Sequence, residues 1–475
     1  MHKKPIQRRT KKTALSLAMT VMAALILSGC GGADTGTVKS ETARPENKGP
    51  SVANKSVSET ITPVINDQGV TVDQTDTSSK IHVAVLLPLS GVNGSIGSSM
   101  LNAVTMALFD SYDPRIVLHP FDTKGTEAGT REATLKAIDV KARIVIGPLL
   151  SGNVRTAGDL LSPAQIPLIG LSNDRRVAAP GRYLIGFMPK TEVSRVINYT
   201  FRQGKTRMAA LIPESAYGDR VVEYFGQTLS SLGGDIAHMQ RYPLDPDNVQ
   251  DSVRRVTNYD SRENELKSEI NYLRSLRRDL SDQIARQLER AQQIPDPDFD
   301  AILIPEGGDL LRTLVPFLPF YEVDPKKIKL MGTGLMSDPT IMNDPPLQGT
   351  WFAGVDPKNL ETFDKRYKDT FSEEPPRLAS LAYDAMGLVS TIVKNALSSN
   401  QPVMQEQMSE QSDPIFTPAA LEYEQGFYGI NGLFRFLPNG ENERMLSILE
   451  IRSKGLKVID PAPDEFPAFG YMLGK

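Results

Sequence analysis

The chain has 475 residues and a near-balanced charge of −4, from 53 basic and 57 acidic residues, with four histidines and one cysteine. Such a surface repels nucleic acid, and no basic stripe offsets it. One cysteine excludes an intrachain disulfide or a cysteine-built zinc site, and His2, His82, His119 and His238 show no metal-ligand spacing, so neither a metal nor a cofactor is expected.

Lys3, Lys4, Arg8, Arg9, Lys11 and Lys12 precede an almost wholly apolar run from Thr13 to Leu27. Basic, then apolar, then small residues is the order of a secretory signal, here residues 1–29. The run is shorter than the ~20 residues a membrane span needs. An uncleaved N-terminal anchor is the alternative. Leu27-Ser28-Gly29-Cys30 resembles the lipobox of bacterial lipoproteins. That resemblance implies cleavage before Cys30 and its acylation, and Gly31 implies sorting to the outer membrane, facing the periplasm. Two or more acyl chains hold a protein on a membrane because each buried methylene contributes about 0.8 kcal/mol. Loss of the six basic residues of the signal, from 53, brings the balance to −10.

Residues 30–79 are rich in Thr, Ser, Asp, Glu, Gly and Pro and carry only isolated Val and Ile. They cannot bury enough apolar surface to offset chain entropy, so they read as a disordered tether averaging roughly 40 Å end to end. The tether either lets a folded part work away from the membrane or is a passive spacer. From Lys80 onward the chain exceeds what one core usually serves and points to two lobes.

From residue 80, apolar strands alternate with helical stretches. IHVAVLLPL, RIVLHPFD, ARIVIGPLL, IPLIGLSND and RYLIGFMP are strands; the helices between carry Met100 and Val104, then Glu127 to Ile138, then Val154 with Leu160 and Leu161. This spacing predicts a parallel sheet with helices on both faces. A second cycle follows, with RMAALIP, DIAHMQRYPL, FDAILIPEGGD, KIKLMGTG and WFAG as strands. Helices are predicted from Thr191 to Gln203 and from Tyr217 to Leu232. Residues 80–189 with about 357–440 make one lobe, and 190–356 with about 441–475 the other. FRFLPNGENERMLSILEI reads as a hairpin turning at Pro438-Asn439-Gly440. Between about 258 and 293, Leu266, Ile270, Leu273, Leu276, Leu280, Ile284 and Leu288 recur at three- and four-residue spacing among charged residues. This predicts one long amphipathic helix, whose stripe lies on the second lobe or docks another protein.

IHVAVLLPLSG, FDTKGT, IVIGPLLSGNV, PLIGLSND and YGDR resemble the type I periplasmic binding fold of leucine/isoleucine/valine-binding proteins. LIPESAYGDRV, SLGGDI and INGLFRFLPNG bring the resemblance closer to the C-terminal domain of the penicillin-binding-protein activator lipoproteins. Those activators carry a large helical domain where this chain has its tether. The implied fold is α/β: two lobes, each a mostly parallel sheet flanked by helices, with a long helical insertion in the second. In amino-acid-binding relatives, loops at the strand C-termini hold the ligand. Ser151, Ser172 and Asn173 stand at matching places in the first lobe and Tyr217 in the second; Ser90 and Asp122 are further cleft candidates. The carboxylate that holds an ammonium group is missing from Met331-Gly332-Thr333-Gly334-Leu335, leaving Glu306 as a substitute. The resemblance implies a partner, a bifunctional penicillin-binding protein acting as peptidoglycan synthase. A periplasmic solute receptor for an ABC importer, with an amino-acid-like ligand in the cleft, is the alternative. No G-x-S-x-G, H-E-x-x-H or P-loop is present. The loop carboxylates Asp122, Glu214, Asp219 and Glu306 alone do not make an enzyme.

Overall fold

The computed structural model describes residues 80–398 and 415–466; the expected signal, Cys30 and tether lie outside the described residues. β1 (Ile81–Leu87), β2 (Ile116–Asp122), β3 (Ile144–Ile146), β4 (Leu168–Gly170) and β5 (Arg182–Leu184) form a 5-stranded parallel sheet in the order β2-β1-β3-β4-β5. β1 is apolar without alternation because both of its faces are covered. Val83, Val85 and Leu87 face α1 (Gly94–Ser111), while Ala84 and Leu86 pack with α2 (Glu127–Asp139) and α3 (Ser151–Leu161).

After β5 the chain enters α4 (Pro189–Arg202) and builds a second sheet from β6 (Arg207–Pro213), β7 (Asp235–Tyr242), β8 (Ala301–Leu303), β9 (Lys329–Gly332) and β10 (Trp351–Gly354). α5 (Ala216–Ser231) joins α4 on one face, against Met208, Ala210 and Ile212. On the other face α6 (Gln250–Val256) and α9 (Gly308–Leu314) cover Ala209 and Leu211. Between α6 and α9 run α7 (Tyr259–Ser275) and α8 (Asp279–Ala291), and the short α10 (Phe317–Phe320) follows.

The chain then returns. α11 (Pro357–Phe371) and α12 (Ala379–Ser398) pack with α1, so that Leu381, Ala385, Met386 and Val389 share the core of the first sheet. β11 (Phe427–Gly429), β12 (Gly432–Phe436) and β13 (Asn442–Arg444) form a 3-stranded antiparallel sheet. Phe434 and Phe436 belong to that same core, and Asn442 donates to the carbonyls of Leu184 at 2.7 Å and Gly186 at 3.0 Å. Finally β14 (Ser447–Arg452) and β15 (Gly455–Asp460) complete a 7-stranded sheet, β15-β14-β10-β9-β8-β6-β7, antiparallel only at the β10–β14 and β14–β15 pairs. The chain thus passes between the two large sheets three times, at 184–189, 354–357 and 444–447. The last passage lies beyond residue 440, because β13 still pairs with β12.

One expectation is corrected. The insertion near 258–293 is helical, but it is not one long helix. α7 ends at Ser275, Arg277 takes a left-handed φ of 50°, and α8 starts anew at Asp279 and packs back against α7. Ser281 accepts the Arg278 amide at 3.3 Å, and Asp279 and Asp282 occupy the first turn of α8. Carboxylates and a capping hydroxyl there suit a helix N-terminus rather than a helix interior. At the root of this hairpin Arg262 is only 4% exposed. It donates to the carbonyls of Thr257 (2.9 Å), Pro295 (2.7 Å) and Tyr321 (2.7 Å), which fixes the hairpin to the second lobe.

Candidate interlobe cleft

In each parallel sheet the strand order reverses beside the first strand, between β1 and β3 and between β6 and β8. Loops leaving neighbouring strands in opposite directions open a crevice at the strand C-termini. The loops after β3, β4, β5, β6 and β9 meet there around a cavity of ≈ 560 Å³. Ser151, Ser172, Asn173 and Tyr217 all line it.

Each is held for a local reason. α3 begins at Ser151 itself, so Leu150 occupies the cap position and contributes no side-chain bond. The first turn of α3 holds no acidic residue of its own, although the Glu127 carboxylate lies beside Gly152 in that turn. Ser172 is 6% exposed and accepts the Asp174 amide at 3.1 Å, an ST-turn that shapes the loop after β4. Asp174 in turn holds Arg176 through a two-pronged pair of 2.9 and 2.7 Å. Asp174 is held below the usual carboxylate range, first by the Arg176 hydrogen bond, against the opposing effect of burial. The Tyr217 hydroxyl lies 3.0 Å from Thr333 Oγ1, and burial followed by the Glu192 charge pushes its pKa up.

The other candidates lie outside the cavity lining. The Asp122 carboxylate accepts from Ser90 Oγ at 2.6 Å, from the Leu89 amide at 2.9 Å and from the Lys124 amide at 2.7 Å. Burial raises its pKa, but these hydrogen bonds outweigh that and hold it low. Ser90 and Asp122 therefore staple the β1 loop to the β2 loop. Glu306 accepts from the Tyr242 hydroxyl at 2.7 Å and from the Gly307 amide at 3.1 Å.

The cleft is governed by residues the sequence reading passed over. Glu192, in the first turn of α4, is 4% exposed and accepts from Arg377 at 2.9 Å. The Arg377 guanidinium also stacks 3.8 Å from the centroid of the Phe187 ring. A Cβ on Gly334 would stand 2.4 Å from Arg377 Nη2 and 2.5 Å from Glu192 Oε1, so the glycine makes room for the pair. A carboxylate is therefore present in the crevice, supplied by α4 and already neutralised by Arg377. Arg220 lines the same cavity, and its Nε is buried with no hydrogen-bond partner among the described residues. A guanidinium with an unpartnered buried Nε, beside the helix N-terminus, favours an anionic occupant, even though Asp174 already feels its charge. It does not favour a free ammonium group, which needs an unpaired carboxylate.

Among the described residues no group of three or more His, Cys, Asp or Glu could hold a metal ion, and no helix is long and apolar enough to cross a membrane.

Two facing crevice walls on paired parallel sheets, tied by three chain passages, decide the architecture. The fold is that of the type I periplasmic binding proteins. Residues 80–261 match the periplasmic binding protein family. A putative branched-chain amino acid ABC transporter protein from Rhodospirillum rubrum superposes with a TM-score of 0.61 at 16% identity, covering 80% of this chain and 100% of that one. The C-domain of LpoA (YraM) from Haemophilus influenzae, a regulator of PBP1A, superposes with a TM-score of 0.52 at 16% identity, covering 80% and 99%. In sequence the chain is similar to the penicillin-binding protein activator LpoA of Photobacterium profundum, 25% identical over 336 residues, 68% of this chain and 52% of that protein. The match thus spans about half the length of the curated relatives.

Proposed function

We propose that the chain is a regulator that stimulates a peptidoglycan synthase of the bifunctional penicillin-binding protein class. It faces the periplasm and is held at the outer membrane by acylated Cys30. The observation that carries this reading is the similarity to a penicillin-binding protein activator across 336 residues, which runs through both lobes instead of stopping at one shared motif. The action proposed is binding: the cleft holds the Glu192–Arg377 and Asp174–Arg176 pairs and a buried tyrosine.

Purified full-length protein added to such a synthase should raise the rate of glycan-strand polymerisation and form a complex in pull-down. No complex and no change in polymerisation would overturn the reading. The anchor is tested separately, by mass spectrometry of the N-terminal peptide from membranes. Acylated Cys30 at the new N-terminus is expected, and an unmodified thiol in a free protein removes the membrane assignment.

Arg220 favours a second reading for the cleft, a small anionic ligand of the kind a solute receptor carries. A thermal-shift screen of carboxylic acids, amino acids and muropeptides checks it, because a ligand of the native state stabilises by RT ln(1 + [L]/Kd). Stabilisation by an acid that disappears in Arg220→Gln is the expected result for this reading. No shift with any compound discards it.

A further inference from the structure

The hairpin of α7 and α8 is built as a fixed projection. Its root is locked by buried Arg262, and Ile270, Ser281 and Ala285 are buried within it. Toward its turn the pattern changes. Tyr272 is 58% exposed, Leu276 40%, Leu280 69% and Ile284 39%. These are two i,i+4 pairs flanking the turn, Tyr272 with the cap residue Leu276 at the end of α7, and Leu280 with Ile284 on α8. Large apolar side chains left in water on an anchored element mark an interaction surface.

Charge says what the surface takes. Residues 271–291 contain Arg274, Arg277, Arg278, Arg286 and Arg290 against Asp279, Asp282 and Glu289, in a chain whose overall balance is −4. Only Arg274 is committed, to Glu289 at 2.6 Å; the other four arginines form no ion pair among the described residues. A second copy of the hairpin would bring arginines against arginines. A phosphate-rich membrane surface would press on Asp279 and Asp282 beside Leu280. An acidic protein segment with one apolar face meets both the arginines and the leucines, and can place its own cations opposite the two aspartates.

We propose that the tip of this hairpin is a docking site for a short, acidic, amphipathic helix of a partner protein. The proposal rests on the synthase-regulator reading and names the surface where the synthase would be engaged. Tyr272, Leu276, Leu280 and Ile284 supply the apolar contact; Arg277, Arg278, Arg286 and Arg290 supply attraction and orientation.

The test measures binding of the full chain to a purified bifunctional penicillin-binding protein by biolayer interferometry, at low and moderate salt. One variant combines Leu276→Ser, Leu280→Ser and Ile284→Ser; another combines Arg277→Glu, Arg278→Glu and Arg286→Glu. The altered side chains are exposed, so circular dichroism and melting temperature should match the parent. The expected result is parental binding that weakens with salt, and a loss of at least tenfold in each variant. Parental binding that neither variant changes overturns the docking site while leaving the synthase reading intact. No binding by the parent overturns both. Two further outcomes also overturn it, each with synthase binding unchanged: loss of association with phosphatidylglycerol vesicles in the arginine variant, which assigns the tip to a membrane, or loss of a dimer in sedimentation, which assigns it to a second copy.

Discussion

Arg377 and Glu192 join the two halves of the molecule: a guanidinium from the segment before α12 reaches a carboxylate in the first turn of α4 at 2.9 Å. The Glu192 side chain is 5% exposed and that of Arg377 32%. Removing the cation from such a pair strands a buried charge, which costs more than the intact pair contributes. Arg377→Ala should therefore lower stability by about 2–3 kcal/mol, and the double variant with Glu192→Gln should recover part of that loss. Urea unfolding of the four proteins in the cycle checks it; strictly additive losses would mean that the two residues act independently.

Gly334 offers an independent probe of the same contact. A methyl group there meets both charged atoms within 2.5 Å. Gly334→Ala should cost about 1–3 kcal/mol through forced displacement of the pair. In the Arg377→Ala background the same change should cost less, because only the Glu192 carboxylate then stands in the way. Thermal melts of the single and double variants read this directly.

Acid sensitivity should arise where α1, α11 and α12 meet. Asp110 of α1 accepts from Arg366 at 2.8 Å and from the Tyr383 hydroxyl at 2.6 Å. Its carboxyl is held below its ordinary value of 3.8, first by the Arg366 hydrogen bond, against burial. A depressed folded-state pKa contributes stability that is present above the unfolded value and lost as pH falls through the folded one. Part of the acid unfolding below about pH 4 should therefore disappear in Asp110→Asn, which is expected to be less stable near neutrality and flatter in its acid dependence. An unchanged slope of stability against pH from 5 to 2 would remove Asp110 from the account.

Arg262 is a buried cation that faces carbonyls instead of a carboxylate, and burial pulls its pKa down. Arg262→Lys keeps the charge but loses the forked geometry that reaches three acceptors on three segments. A loss of about 2 kcal/mol is expected, because charge-assisted hydrogen bonds contribute about 1.5–3 kcal/mol each and one or two would remain. Hydrogen exchange should show faster opening of α7 and α8 while the strand amides of β6 and β8 stay protected. Uniform acceleration across the second lobe would mean that Arg262 supports the whole core.

The sheets were legible because buried parallel strands leave unbroken apolar runs, as in Ile81–Leu87 and Arg207–Pro213. Four cleft residues were legible because crevice loops follow strand ends. Glu192 and Arg377 were not. A glutamate in a first helical turn is the ordinary choice for the helix dipole, and nothing local tells that Arg377 and Gly334 will cover it. The hairpin misled for a different reason: folding an amphipathic helix back on itself preserves the three- and four-residue recurrence on both arms. Only Arg277-Arg278-Asp279, with Ser281 behind it, marked the reversal.

The triple passage of the backbone has a consequence for synthesis on the ribosome. The first sheet emerges early, yet Leu381, Met386, Val389, Phe434 and Phe436, which close one of its faces, are made last. Until then Val83, Val85 and Leu87 have no complete cover. No contiguous gene fragment encodes the N-terminal half as a finished body, and a premature stop after Gly354 would leave that half open to aggregation rather than yield a smaller working protein.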